Sequence, residues 1–499
     1  MKRSCGILMP ISALPSPYGI GTLGQEAYDF VDFLAASNHF WWQLLPVGPT
    51  SYSDSPYQSF SAYAGNPYFV DLVTLKNDGL LTQDELSSVD WGDDPTRVDY
   101  KKIYDSRFVL LQKATERGWA QDKKAAEAFA KENAGWLEDY TLFMALKRRF
   151  GMVAWTEWPD EDIRLHRPAA VERWRKELAE DIRLFTYIQY LFYQQWDRLR
   201  TYAHSKGVGI IGDMPIYVAM DSADVWAEPG SFQLDERNVP TEVSGCPPDS
   251  FNADGQLWGN PLYNWDAMKR DGYSWWIRRI AGAAKLYDVL RIDHFRGLES
   301  YWAVPYGAKT AKDGRWVKGP GMDLMSVLIS WFPNIRFIAE DLGFLTPEVH
   351  QLLKDSGLPG MKVLEFAFDS REPSNYLPHT YDSSCVCYAG THDNPPILLW
   401  KEEADAADID MAVRYLGLNE QEGFHWGILR GGMSSVADLF VAQMQDYLGL
   451  GAGARMNVPG ILGGNWQWRM KKGQIDEALS VKLANMARIY GRSERAWQA

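Results

Sequence analysis

The sequence predicts a parallel α/β fold, a sheet or barrel of about eight strands, and three observations carry that expectation. Short apolar runs rich in strand-forming residues recur at 5–11, 40–47, 208–218, 288–295, 335–341, 361–368, 385–389 and 439–448. Most of them are separated by stretches whose apolar residues fall at helical spacing, the pattern of βαβ units. Several runs close on charged residues where a buried strand would end, and that end is the catalytic face of a parallel barrel.

Taken in order, the first run follows Lys2 and Arg3 and contains Pro10. It is too short for a secretory leader or a membrane span, so it reads as a first strand of a cytoplasmic protein. Helix-like spacing follows at 25–37, and again at 184–205, 275–286 and 347–355. About 160 residues separate the second run from the third, far more than a crossover needs, so an inserted subdomain is expected at 50–182. Its stretches 123–150 and 169–183 have helical periodicity. A second insertion, 221–274, is dominated by Gly, Pro, Asn, Asp and Trp with little periodicity, as expected of a functional loop region. The run 439–448 reads equally well as strand or helix.

The chain has 499 residues, 46% hydrophobic and 23% charged, the balance of a globular protein with a large core. A net charge of -14 argues against nucleic acid, which would be repelled, and no membrane partner is expected. The 22 Trp, 25 Tyr and 21 Phe often fall among Gly, Asn, Asp and Pro rather than inside apolar runs. Aromatic faces so placed can stack on flat apolar surfaces such as those of sugar rings. Four cysteines do not make a disulfide framework in a chain this long. Cys385 and Cys387 share a strand face, but no second pair or His cluster completes a metal site, and they read as packing residues. The glycines at 449, 451, 453, 463 and 464 lack the Lys-Ser/Thr of a phosphate cradle. No metal or cofactor is expected.

The chemistry concentrates at 289–302, where Arg291, Asp293, His294 and Arg296 crowd an apolar strand. Charges are rarely buried unpaired, so a strand ending this way is presenting those groups to a ligand. The stretch 335–343 ends on Glu340 and Asp341, and 385–394 on His392 and Asp393. Two carboxyl groups about 5–5.5 Å apart suit a retaining glycoside mechanism. Asp293 fits the nucleophile, with Arg291 on the same strand side to keep it ionised. Glu340, beside Ile338 and Ala339, fits a proton donor with a raised pKa. Asp393 could bind sugar hydroxyls next to the breaking bond, with His294 and His392 as donors.

The segments 291–297 (RIDHFRG), 339–343 (AEDLG) and 391–394 (THDN) resemble the three catalytic segments of the 4-α-glucanotransferases, the amylomaltases or disproportionating enzymes of glycoside hydrolase family 77. The stretch 247–265 resembles that family's acceptor-side loop. Further similarity lies at 55–61 with 65–67, at 212–217, and at 454–460 leading to 464–466, all in the family's order. The resemblance implies a (β/α)8 barrel with inserted, largely helical subdomains and no C-terminal β-sandwich. It implies Asp293 as nucleophile, Glu340 as general acid/base and Asp393 as transition-state stabiliser. Tyr57, Asp213, Arg291, His294 and His392 are implied as donor-sugar contacts, Asn465 as a donor-side contact, and Phe251 and Trp258 as acceptor-loop contacts. Tyr52 and Tyr100 are similar to a remote glucan-contact pair.

One departure stands at 395–400, where PPILLW replaces a polar, Thr-containing continuation toward Gly-Trp and bears on local donor-site shape. The expected activity is transfer of α-1,4-glucan segments to the 4-hydroxyl of another glucan or of glucose. Two other readings are a retaining α-glucan hydrolase with the same carboxylates and a catalytically silent glucan-binding protein.

Overall fold

A computed structural model describes residues 3–248, 253–343 and 345–496, the side chain of Tyr52 excepted. All eight expected runs form strands, each shorter than its apolar run. They are β1 (Ser4–Leu8), β2 (Trp41–Gln43), β3 (Gly209–Met214), β4 (Val289–Ile292), β5 (Arg336–Ala339), β6 (Gly360–Val363), β7 (Cys385–Tyr388) and β8 (Leu439–Gln443). The run at 439–448 splits: the chain is extended to Gln443 and then turns helical at Met444–Tyr447.

Every pairing in this sheet is parallel, in the order β6-β7-β8-β1-β2-β3-β4-β5. Sequence neighbours are spatial neighbours all the way round, as in a barrel. The seam between β5 and β6 closes without a regular ladder. Ala339 N donates to Pro359 O at 3.0 Å, and Met361 N donates to the Asp341 carboxylate at 2.6 Å. Asp341 is 6% exposed, and a Cβ at position 360 would lie 2.5 Å from its Oδ2, so only glycine fits there. Asp341 therefore serves the seam, while its neighbour Glu340 faces the cleft.

Crossover helices pack outside the strands, including Gln25–Ala36, Ala179–Ser205, Ser274–Leu286, Met322–Trp331, Pro347–Ser356 and Phe424–Ser434. Opposite the site, buried Arg492 donates to Ser4 O at 2.9 Å, Met433 O at 2.7 Å and Ser435 O at 3.0 Å. That pins the last segment across the first strand and the turn before β8.

The first insertion is helical as expected. Tyr100–Glu132 and Ala134–Arg149 both pack on Ala179–Ser205. The helical character assigned to the insertions does not extend to the second. Glu242–Cys246 and Gln256–Pro261 are strands of a four-stranded antiparallel sheet with Ser300–Pro305 and Arg315–Lys318. Their periodicity is hidden because the strands are short, carry Gly245 and Gly259, and include a register shift between Val243 and Gly245. Tyr301 and Trp302 belong to this sheet, whereas Trp41 and Trp42 pack in the barrel.

Removing the seam carboxylate by Asp341→Ala strands the buried Met361 amide. Equilibrium urea unfolding should show a loss of about 1–3 kcal/mol, whereas an unchanged midpoint would mean that the seam is held elsewhere.

Candidate active site

Asp293 and Glu340 follow the last residues of two neighbouring strands. Ile292 and Ala339 are register partners, and the ladder runs one step further through Glu340 N to Ile292 O at 3.0 Å. Asp293 N reaches back to Met214 O on β3, also at 3.0 Å. The two carboxyl groups thus spring from equivalent positions on adjacent strands, where strand spacing is about 4.8 Å. That is the scale of separation retaining chemistry needs.

Asp293 leans on one cation. Arg291 is buried, and its Nη1 donates to Asp213 Oδ1 at 2.6 Å, Asp213 Oδ2 at 2.8 Å and Asp293 Oδ1 at 2.9 Å. The Asp213 side chain is fully buried, whereas 29% of the Asp293 side chain opens to the cleft. Burial works against the charge on Arg291, but Asp213 and then Asp293 outweigh it. Burial raises Asp293, Arg291 opposes it, and Asp213 and Asp393 add to the rise, which leaves Asp293 at about 6.

Glu340 has no such cation in contact. Its Oε2 accepts from His294 N at 2.7 Å and its Oε1 from Leu342 N at 2.9 Å. Burial, with Asp293 adding to the push, outweighs the pull of the Arg291 charge and of these two bonds and lifts Glu340 to about 8. The order is what chemistry requires: at neutral pH the shared proton sits on Glu340 and Asp293 is the carboxylate.

His294 pays for this arrangement in backbone strain. It sits at φ 51°, ψ 46°, in the left-handed region that non-glycine residues avoid. The Glu340 carboxylate on its amide, together with Phe295 N donating to Glu340 O at 3.0 Å, holds it there. Burial, then Arg296, lowers its ring pKa to about 3, so the imidazole is neutral. Trp258 meets that ring edge-on, with centroids 4.8 Å apart.

The remaining contacts form a second chain of bonds. Tyr57 Oη donates to Asp213 Oδ2 at 2.7 Å, and burial followed by Asp213 pushes its pKa well up, so the proton stays on oxygen. With that one proton spent, His392 Nε2, 2.9 Å from the same oxygen, must be the donor to it. His392 Nε2 also lies 3.3 Å from Asp393 Oδ1 and its ring stacks on Tyr57. Trp466 packs on both rings.

Asp393 is held from a loop to which the sequence reading gave no role at these positions. Asn457 Nδ2 donates to Asp393 Oδ1 at 2.7 Å, and Arg455 Nη2 donates to Asp393 O at 3.2 Å. Polar residues inside the 454–460 match were the available signal. Asn465 turns inward on the same loop, donating to Ile461 O at 2.8 Å and accepting from Val458 N at 3.0 Å. It sets loop shape here. Tyr100 is 9% exposed and donates to Trp466 O at 2.8 Å, and the Tyr52 side chain and all of Phe251 lie outside the described residues. Among the described residues no cluster of three His, Cys, Asp or Glu side chains could hold a metal ion, and no helix is long and apolar enough to cross a membrane.

Residues 9–475 match the family described as 4-alpha-glucanotransferase. The chain belongs to the 4-alpha-glucanotransferase family. The 4-alpha-glucanotransferase of Clostridium butyricum is 46% identical, covering 97% of this chain and 100% of that protein. The one from Thermus thermophilus is 45% identical, covering 98% of each. Among solved structures, amylomaltase from Streptococcus agalactiae in complex with acarbose matches with a TM-score of 0.96 at 41% identity, over 99% of this chain and 100% of that one. The family's fold is the barrel described above. Membership makes this chain an enzyme of the 4-alpha-glucanotransferase class, and neither a hydrolase nor a silent binding protein is favoured.

Replacing Arg291 by Met leaves Asp213 buried and unpaired. Chemical denaturation should show a loss of about 3–5 kcal/mol, and any folded fraction should need higher pH to ionise Asp293. In the unaltered enzyme, kcat/KM should rise as Asp293 ionises near pH 6 and fall as Glu340 deprotonates near pH 8. A profile flat through both values contradicts the assignment.

Proposed function

We propose that this chain transfers segments of α-1,4-glucans to the 4-hydroxyl of another glucan or of glucose by double displacement. Asp293 attacks the anomeric carbon as the glycosidic bond breaks, and Glu340 gives its proton to the leaving oxygen. The positive charge developing on the ring is met by the Asp393 carboxylate. An acceptor 4-hydroxyl then attacks the β-linked glucosyl-enzyme, Glu340 takes the hydroxyl proton, and Asp293 is released as carboxylate. Two inversions give net retention.

The observation that carries this reading is the pairing of Asp293 and Glu340 on adjacent in-register strands, with the cation on the first and amide donors alone on the second. Asp213, Arg291, Tyr57, His294 and His392 form the donor-sugar surface in this reading, and Trp258 and Phe251 the acceptor side. Water competes for the intermediate, so an aromatic acceptor wall that seats a sugar favours transfer over hydrolysis. The relevant partners are uncharged α-glucans rather than nucleic acid or membrane, in keeping with the net charge of -14. A cytoplasmic setting fits cysteines that form no disulfide among the described residues, and plant relatives are named as chloroplastic/amyloplastic.

Incubation with maltotriose alone should yield longer maltooligosaccharides together with glucose; products no longer than maltotriose would defeat the transferase reading. Asp293→Asn should lower kcat by roughly 10⁴-fold while glucan binding, followed by tryptophan fluorescence, persists. Normal turnover by that variant would exclude Asp293 as nucleophile.

A further inference from the structure

Beneath the segment that carries Asp393 lies a second pair of acids to which the chemistry above gives no task. Glu365 follows β6 and Asp446 follows β8; they are 8% and 1% exposed. Neither Glu365 oxygen makes a well-formed hydrogen bond, nor does Asp446 Oδ2, among the described residues. Buried polar atoms are seldom left so, and each such case calls for an explanation.

Both acids press on the same stretch of chain. Asp446 Oδ1 accepts from Ile397 N at 2.8 Å, fixing the far end of that segment where Pro395 and Pro396 offer no amide of their own. At the near end, a Cβ on Gly390 would lie 2.9 Å from Glu365 Oε1, so the backbone can approach the carboxyl only because position 390 is glycine. Between these points Asn394 Oδ1 accepts from Thr391 N and Thr391 Oγ1, both at 2.9 Å, and Thr391 Oγ1 accepts from Asp393 N at 3.3 Å. The turn bearing Asp393 is thus clamped from above by Asn457 and Arg455 and rests below on Glu365 and Asp446.

We propose that Glu365 and Asp446 are positioning residues that work as one buried acid pair, fixing the segment 390–397 and with it the height of Asp393 in the cleft. The inference rests on Asp393 being the transition-state carboxylate. The groups facing Glu365 are Asp446, Arg455, Asn394 and Glu403; those facing Asp446 are Glu365, Tyr447, Ile397 N and the Gln443 backbone. Arg455 is the only cation among them and is already engaged with Asp393 O, Asn457 O and Glu403. Two full negative charges are therefore not balanced, and the pair keeps a proton. Burial pushes Asp446 up to about 7, and burial with Asp446 pushes Glu365 well above the carboxylate range.

The sign follows from linkage. A carboxyl whose folded pKa is raised gives its full contribution below the unfolded value, about 4, and loses it as pH climbs toward the folded one. Wild-type melting temperature should therefore fall as pH rises from about 4 through 7, and Glu365→Gln, which cannot ionise, should fall less steeply. A parallel fall in both would overturn the shared-proton part of the proposal.

The catalytic test compares Glu365→Gln, Glu365→Ala, Asp446→Ala and Asp393→Asn on maltooligosaccharide transfer. Glu365→Gln should keep kcat within about twofold. Glu365→Ala and Asp446→Ala, the second of which removes the acceptor for Ile397 N, should lower kcat by about tenfold to hundredfold, with KM little changed and the folded fraction, set by near-UV circular dichroism, intact. Wild-type kcat in both of these, or a loss that merely tracks the folded fraction, overturns the positioning role while an inactive Asp393→Asn leaves the reading of Asp393 standing. An active Asp393→Asn would instead overturn that reading and this inference with it.

Discussion

One guanidinium organises the site. Arg291 shares a single nitrogen between a fully buried carboxylate, Asp213, and one that opens to the cleft, Asp293. A buried ion pair contributes little net stability, because desolvation offsets much of the attraction. Its value here lies in asymmetry. Asp213 keeps Arg291 charged inside the barrel and Arg291 bonds the carboxyl next to it, whereas Glu340, one strand over, feels Arg291 without contact and is dominated by burial. Two carboxyls in nearly equivalent positions thereby acquire opposite protonation states, the condition that the proposed double displacement requires.

Barrel geometry makes that possible without any special local sequence. Parallel in-register strands deliver side chains at fixed spacing to one rim, and Asp213, Asp293 and Glu340 come from three successive strands, β3 to β5. Only where the chain leaves the ladder does strain enter. His294 is held in the left-handed region by the carboxylate it helps position, so the strained residue and the acid fix each other.

Much of this was legible in the sequence because each strand repeats one logic, an apolar run closing on charge. Seven of the eight strands and the helices of the first insertion carried a pattern strong enough to read, whereas the run at 439–448 stayed ambiguous because it holds a strand and the start of a helix together. The antiparallel sheet at 242–318 did not, since its half-buried strands carry glycines and a register shift that erase alternation. Within the site, Arg291, Asp293 and Glu340 were legible because charge in a buried strand is costly and so conspicuous, whereas Asp213 was indicated only by the family resemblance. Asn457, Arg455 and Trp466 were less so: polar or aromatic residues in a loop carry no such penalty, and only folding brings them to Asp393 and its neighbours. For Glu365 and Asp446 the sequence held even less, since each follows an ordinary strand and only the contact with Gly390 and Ile397 links them to Asp393.

In the proposed mechanism a glucosyl chain is carried on Asp293. Slowing the second displacement with Glu340→Gln and an activated maltosyl fluoride, then digesting the protein for mass spectrometry, tests it directly. A maltosyl adduct should appear on the peptide containing Asp293 and be lost when acceptor glucan and a small external base are added. An adduct on any other carboxylate, or turnover through no adduct at all, would contradict it.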